Sequence, residues 1–252
     1  MNDTRDMPEV QSAINALTEG DGFTTLEGLI TEELAANLRQ KIIDSLHEGT
    51  ENTPGDINLA GLITKGPLFT DLATHPRLLA IAHGLLGEDC KLAAMSARIL
   101  MPGCAPGTLH VDYPYWAMDP GMPVRPALML QVIWMMEPFS KANGGTWVAP
   151  GSQKYLTHVD NALFAKEAIQ LKGNAGDAII SHGLLWHKTA VNHSDQPRVA
   201  VLINYSQLSI RPMRELGPFS DSFLKQASQE LQALLPLNYG RSLQERLKRN
   251  YS

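Results

Sequence analysis

From Cys90 onward the chain is cut into segments too short for long helices. Leu92–Met101, Ala127–Met136, Thr146–Ala149, Ala178–His182, Trp186–Val191 and Val199–Tyr205 are apolar or alternating, and Gly, Pro, Asn and Asp separate them. Short apolar runs closed off by turn residues predict strands. Many short strands must be closed into a barrel or stacked as two sheets, since open edges in water invite pairing with other chains.

Upstream the period changes. Thr31-Glu32-Glu33 opens a run with Leu34, Leu38, Ile42, Ile43 and Leu46 at helical spacing, with acidic residues in the first turn. A second helix is predicted from about His75 to Leu86, stopping at Gly87. Gly22–Leu26 is short and β-like, and Gly49–Asp56, rich in Gly, Thr, Asn and Pro, reads as a loop. After Phe219, Leu224, Leu231, Leu234 and Leu235 restore helical periodicity in a segment expected to pack on the core or on a second copy of the chain. The fold expected is mainly β with flanking α-helices, a jelly roll in one domain. Its helical N-terminal part covers about residues 1–88, the jelly-roll core about 89–206 and a helical C-terminal segment about 207–252.

Composition narrows the function. A formal net charge of −5 argues against nucleic acid as the main partner, and the basic run Arg241–Arg249 reads as the solvated face of a terminal helix. No apolar stretch reaches membrane-spanning length, and the N-terminus lacks an apolar signal core. Two cysteines, Cys90 and Cys104, make no disulfide framework and read as buried hydrophobes. A cytoplasmic monomer or homodimer acting on a small molecule is expected, in a reducing compartment.

The chemistry concentrates in His110-Val111-Asp112 and in Trp186–Arg198. Residues two apart on an extended segment point to one side, so His110 and Asp112 can reach one ion. Two imidazoles and a carboxylate suit non-haem Fe(II) and leave positions open for other ligands. With eight histidines and 26 acidic residues in 252 positions, His-x-Asp or His-x-Glu arises about once by chance, so context must decide. The third ligand has to come from His158, His182, His187 or His193. His182 abuts Gly183, and His193 lies in the turn-like Asn192-His193-Ser194-Asp195-Gln196-Pro197. His187 sits in an alternating stretch. If residues 192–197 close a hairpin, Val191 pairs with Arg198 and Thr189 with Ala200, and His187, Thr189 and Arg198 share one face. His187 is therefore the expected third ligand. Arg198 can clamp a carboxylate with two parallel hydrogen bonds, and metal plus clamp points to a 2-oxoglutarate-dependent oxygenase.

These residues resemble the phytanoyl-CoA dioxygenase family of Fe(II)/2-oxoglutarate oxygenases. The resemblance rests on Asp21-Gly22-Phe23 before Leu26-Glu27-Gly28, on His110-Val111-Asp112, and on the run from Asn143-Gly144-Gly145-Thr146 through Pro150-Gly151-Ser152-Gln153-Lys154. Its last block is Gly176-Asp177 through Trp186-His187-Lys188-Thr189, Asn192, Ser194 and Arg198. It covers most of residues 20–206. It implies a double-stranded β-helix core, iron on His110, Asp112 and His187, and the 2-oxoglutarate tail on Arg198 and Thr189. Thr146 and Gln131 would line the co-substrate. Gln153 departs from the family's histidine after Pro-Gly-Ser, which bears on loop structure and not on iron. Because Asp112 is present, the resemblance implies hydroxylation or another C–H oxidation with O2, and not halogenation.

Tyr113, Tyr115 and Trp116 follow the dyad on a Pro-stiffened loop, which either covers a substrate or packs as an ordinary connection. Met118, Met122, Met129, Met135 and Met136 are expected in the core. Two other functions compete: a cupin-like hydrolase or isomerase that uses the triad without 2-oxoglutarate, and a non-catalytic jelly-roll binding module. Arg198 and Thr189 speak against the first, and the triad speaks against the second.

Overall fold

The computed structural model describes residues 7–113, 127–155, 158–210 and 216–237. Two antiparallel sheets form its centre. The larger contains β1 (Phe23–Leu26), β2 (Thr50–Thr53), β3 (Asp56–Ala60), β4 (Lys91–Leu100), β5 (Met129–Met135), β8 (Ala178–His182) and β10 (Arg198–Ser206), in the order β1-β8-β5-β10-β4-β3-β2. The smaller has β6 (Trp147–Val148), β7 (Ile169–Gln170) and β9 (His187–Lys188), in the order β7-β6-β9. Mainly antiparallel sheets with helices on one side are the jelly-roll arrangement expected.

Alternation along the strands divides the interior. Leu130, Val132 and Trp134 of β5, with Val201, Ile203 and Tyr205 of β10, point to the convex face and join one large apolar cluster. That face is covered by α1 (Pro8–Thr18), α2 (Glu32–Asp44), α3 (Pro67–Ala73) and α4 (Pro76–Leu86), through side chains such as Leu17, Leu38, Ile42, Phe69, Leu78 and Ile81. Thr31 caps α2, its hydroxyl accepting from the Leu34 amide at 3.1 Å, and Pro76 starts α4 where a missing N–H costs nothing. Each fully buried Leu or Ile here contributes about 1.5–3 kcal/mol of apolar transfer. The opposite positions, among them Gln131, Ile133, Arg198, Leu202 and Asn204, face the smaller sheet and the space between.

Three expectations need correction. The region 1–88, expected to be helical apart from the β-like Gly22–Leu26, also holds β2 and β3, while β1 falls where the β-like stretch was expected. Residues 49–56, read as a loop, contain the first strand of the β2–β3 hairpin, which extends the large sheet beyond β4. Its polar sequence hides it: Thr50–Thr53 forms an edge with little apolar face to bury. Nor do residues 192–197 close a hairpin. β9 pairs with β6, while β10 pairs on both sides with β4 and β5, so no ladder position is left for β9.

At the C-terminal end, α6 (Asp221–Gln226) and α7 (Gln229–Leu234) follow one another, and Leu231, Leu234 and Leu235 join the main core. The segment thus packs on its own chain, and Lys91 Nζ donates to the Ala233 carbonyl at 2.5 Å. The short α5 (Asn161–Glu167) was not anticipated. Arg241–Arg249 lies outside the described residues, and no described helix is long and apolar enough to cross a membrane.

Candidate active site

A cavity of about 570 Å³ opens on the concave face of the large sheet, within the range of small-molecule sites. His110, Asp112 and His187 stand in its wall. Backbone pairing brings them together: the His110 amide donates to the His187 carbonyl and the His187 amide to the His110 carbonyl, each at 3.0 Å. This bridge carries the His-x-Asp segment alongside β9. The Asp112 amide donates to the Gly183 carbonyl at 2.9 Å.

The three side chains fit a metal ion. Their candidate ligand atoms lie within 4.8 Å of one another. His110 Nδ1 is 2.8 Å from the Thr108 carbonyl and His187 Nδ1 is 2.9 Å from the Leu185 carbonyl, which holds the proton there and leaves each Nε2 free. His187 Nε2 lies 3.8 Å from Asp112 Oδ1. Gln131 Nε2 donates to Asp112 Oδ1 at 2.9 Å and Asn204 lines the same cavity wall, while Asp112 Oδ2 is buried with no hydrogen-bond partner. A buried, unsatisfied carboxylate oxygen beside two free imidazole nitrogens is costly without a cation.

Electrostatics agree with that need. Burial pushes the Asp112 carboxyl above its ordinary range. The His187 ring, then burial, holds His110 neutral, and burial does the same for His187. Neutral imidazoles are the form that ligates metals. His182 stands apart. It is buried, and its Nδ1 accepts from the Leu184 amide at 3.0 Å. His193 is exposed.

Arg198, Thr189 and Thr146 line the same cavity. Arg198 is 3% exposed, and burial lowers its pKa to about 10, so it remains a cation at neutral pH. One terminal nitrogen donates to the Gly144 carbonyl at 3.0 Å, the guanidinium lies 4.3 Å above the Phe139 ring, and Nε is buried with no partner. The shared face expected from a hairpin is not formed; His187 and Thr189 meet Arg198 across the cavity, because β9 and β10 belong to different sheets.

The sequence had given Gln131 a place beside the co-substrate; here it binds the Asp112 carboxylate. Tyr113 packs among Ala93, Val111, Met129 and Leu184, in line with the packing alternative that the sequence left open beside substrate cover. Tyr115, Trp116, Met118 and Met122 lie outside the described residues. Met135 and Met136 are in the core as expected, whereas Met129 also reaches the cavity. Sequence reasoning missed Asn204, and it missed Arg98, which lines the cavity and pairs with buried Asp56 at 2.5 and 2.7 Å. Asn204 had a signal: it is a polar residue in the otherwise apolar Val199–Tyr205 run.

Comparison with known proteins agrees with this geometry. The sequence profile of the phytanoyl-CoA dioxygenase (PhyH) family matches residues 18–200. Dioxygenase af480 of Aspergillus fumigatus is 28% identical over 189 residues, which cover 74% of this chain and 60% of that relative's length. Dioxygenase andF of Emericella variicolor is 23% identical over 238 residues, covering 87% of this chain and 82% of the relative. The crystal structure of the epimerase SnoN with Fe3+, alpha ketoglutarate and nogalamycin RO superposes with a TM-score of 0.69 at 17% identity, over 92% of this chain and 97% of that one. At that identity the likeness speaks for the fold.

Proposed function

Because the chain belongs to the phytanoyl-CoA dioxygenase family of 2-oxoglutarate-dependent non-haem iron enzymes, we propose that it oxidises an unactivated C–H bond of a small metabolite, using Fe(II), 2-oxoglutarate and O2. The observation that carries this is one cavity holding both the His110–Asp112–His187 cluster and a buried guanidinium whose Nε lacks a partner. A cupin-like enzyme without 2-oxoglutarate has no use for that guanidinium, and a plain binding module has no use for the cluster.

The residues divide the work. His110, Asp112 and His187 would hold Fe(II) on one side, leaving the cavity side open. Thr108 and Leu185 carbonyls fix the two rings, and Gln131 fixes the carboxylate. Arg198 would bind the far carboxylate of 2-oxoglutarate, with Thr189 and Thr146 as hydroxyl partners. When bound, the iron and co-substrate supply oxidative decarboxylation of 2-oxoglutarate to succinate and CO2, coupled to C–H oxidation. Ile133 and Leu202 make that part of the wall apolar, which excludes water and strengthens the charged contact. The mouth, with Asn52, Asn58, Ala60, Gly61 and Leu216, offers amides beside small and apolar groups. Such a lining supports a mid-sized metabolite with both oxygen functions and hydrocarbon surface.

The test is succinate release from 2-oxoglutarate under Fe(II), ascorbate and air, screened against candidate metabolites. A true substrate should raise succinate in step with oxidised product, and His187→Ala should abolish this while His182→Ala retains it. Metal-dependent product formation without 2-oxoglutarate consumption would put the cupin-like reading ahead.

A further inference from the structure

Arg198 is oriented by very little of its own making. Its guanidinium touches one carbonyl and one ring, those of Gly144 and Phe139, both on the segment that leaves β5. The backbone beneath it is laddered on one side only: Arg198 and Val199 pair with Leu100 and Ile99 of β4, whereas the β5 ladder begins at Ala200 opposite Met135, beyond which the Val199 carbonyl accepts from the Met136 amide at 3.4 Å. There the Val199 amide donates to the carboxylate of Glu137, just past the end of β5.

Glu137 is itself held from outside the barrel. Arg39, on α2, donates through Nε to the other Glu137 oxygen and through a terminal nitrogen to the Pro197 carbonyl at 2.8 Å. A single ion pair thus grips the residue before Arg198 and the residue after it. The two side chains are 26% and 19% exposed, too enclosed to count as an ordinary screened surface pair. Glu137 is also the acidic group that most supports the Arg198 charge.

We infer that Arg39 and Glu137 are positioning residues for the co-substrate. They fix the backbone at Pro197 and Val199 so that Arg198 presents its guanidinium to the far carboxylate of 2-oxoglutarate, and they make α2 part of the binding apparatus. The inference rests on the dioxygenase reading above. Arg39 need not touch the ligand; it acts through Arg198. Small displacements of a two-pronged contact weaken it strongly, so the effect should appear in affinity before it appears in iron binding.

The experiment is anaerobic titration of 2-oxoglutarate into Fe(II)-loaded protein, followed by the charge-transfer absorption of the complex, with Fe(II) affinity and thermal midpoint measured in parallel. Arg39→Ala should raise the Kd for 2-oxoglutarate about ten-fold, a usual size for coupling within one network, and leave the Fe(II) Kd within about two-fold. Arg39→Lys should recover part of the loss, since one ammonium cannot reach both partners well. Arg77→Ala, which breaks the exposed Arg77–Glu9 pair between α4 and α1, is the control and should leave 2-oxoglutarate binding unchanged. The deciding measurement is the Arg198→Ala background, in which Arg39→Ala should have almost no further effect. If Arg39→Ala folds poorly, Arg39→Gln and Glu137→Gln carry the same cycle. An unchanged Kd, an equal loss of Fe(II) affinity, or a ten-fold effect that persists without Arg198 would each overturn the positioning role while leaving the dioxygenase reading intact. Wild-type protein that binds Fe(II) but shows no saturable 2-oxoglutarate binding would instead remove that reading, and this inference with it.

Discussion

At Arg198 a charge sits 3% exposed with one of its donors unpaired, an arrangement that is unfavourable until an anion arrives. Arg198→Ala should therefore weaken 2-oxoglutarate by roughly two orders of magnitude, since a charged hydrogen bond contributes about 1.5–3 kcal/mol and an unpaired carboxylate costs more. Arg198→Lys should restore only part of this, and Fe(II) affinity should hardly move; equal Kd values for the wild type and Arg198→Ala would refute the clamp. His182 makes a different prediction. Burial holds its imidazole at about 4, against 6.5 when free. The unfolded chain then binds more protons between those values, so the stability contributed by neutral His182 is complete above about pH 6.5 and is lost as pH falls toward 4. The loss could reach about 3 kcal/mol. Thermal midpoints from pH 7 to pH 4.5 should fall less steeply in His182→Gln than in wild type. Parallel curves would mean that His182 does not titrate as a buried neutral ring.

Between β9 and β10 the chain passes from the small sheet to the large one, and Asn192 makes that crossing definite. Its side-chain amide donates to the carbonyls of Leu100 at 2.9 Å and Gln196 at 2.7 Å, and its oxygen accepts from the Ser194 amide and hydroxyl at 3.0 and 2.6 Å. These bonds tie the connection to the end of β4, and so hold Thr189, just past β9, across the cavity from Arg198 on β10. Asn192→Ala leaves several buried groups without partners and should cost on the order of 3 kcal/mol, read as a shift in the urea midpoint. It should also weaken 2-oxoglutarate, because the two ends of its binding row lose their common anchor. A stability change under about 0.5 kcal/mol would show that water replaces the asparagine readily. Nearby, Gly145 packs so closely that an added Cβ would stand 2.3 Å from the Leu171 carbonyl, which accounts for glycine beside Thr146 in the Asn-Gly-Gly-Thr run.

For the molecule as a whole, ligand and fold are linked, because the His110–Asp112–His187 cluster exists only when β9 and the His110 segment are paired. Fe(II) with 2-oxoglutarate should raise the thermal midpoint with the logarithm of ligand concentration, by about 2.7 kcal/mol of stabilisation at a hundred times the Kd. Asp112→Ala should lose the iron-dependent part; a shift of equal size in that variant would place the metal elsewhere. The sequence by itself determined the β-rich core, the helices α2 and α4, and the His110-x-Asp112 dyad. Those features are written in local periods, caps and short spacings, where a residue's neighbours in the chain are also its neighbours in space. Only the tertiary structure decided that Thr50–Ala60 supplies two more strands, that Gln131 serves Asp112, and that Arg39 with Glu137 reaches the backbone on both sides of Arg198. Edge strands bury too little to leave an apolar pattern. Contacts such as Arg39 to Pro197, 158 positions apart, exist only because α2 lies against the end of β10, and no local pattern encodes which helix will pack there.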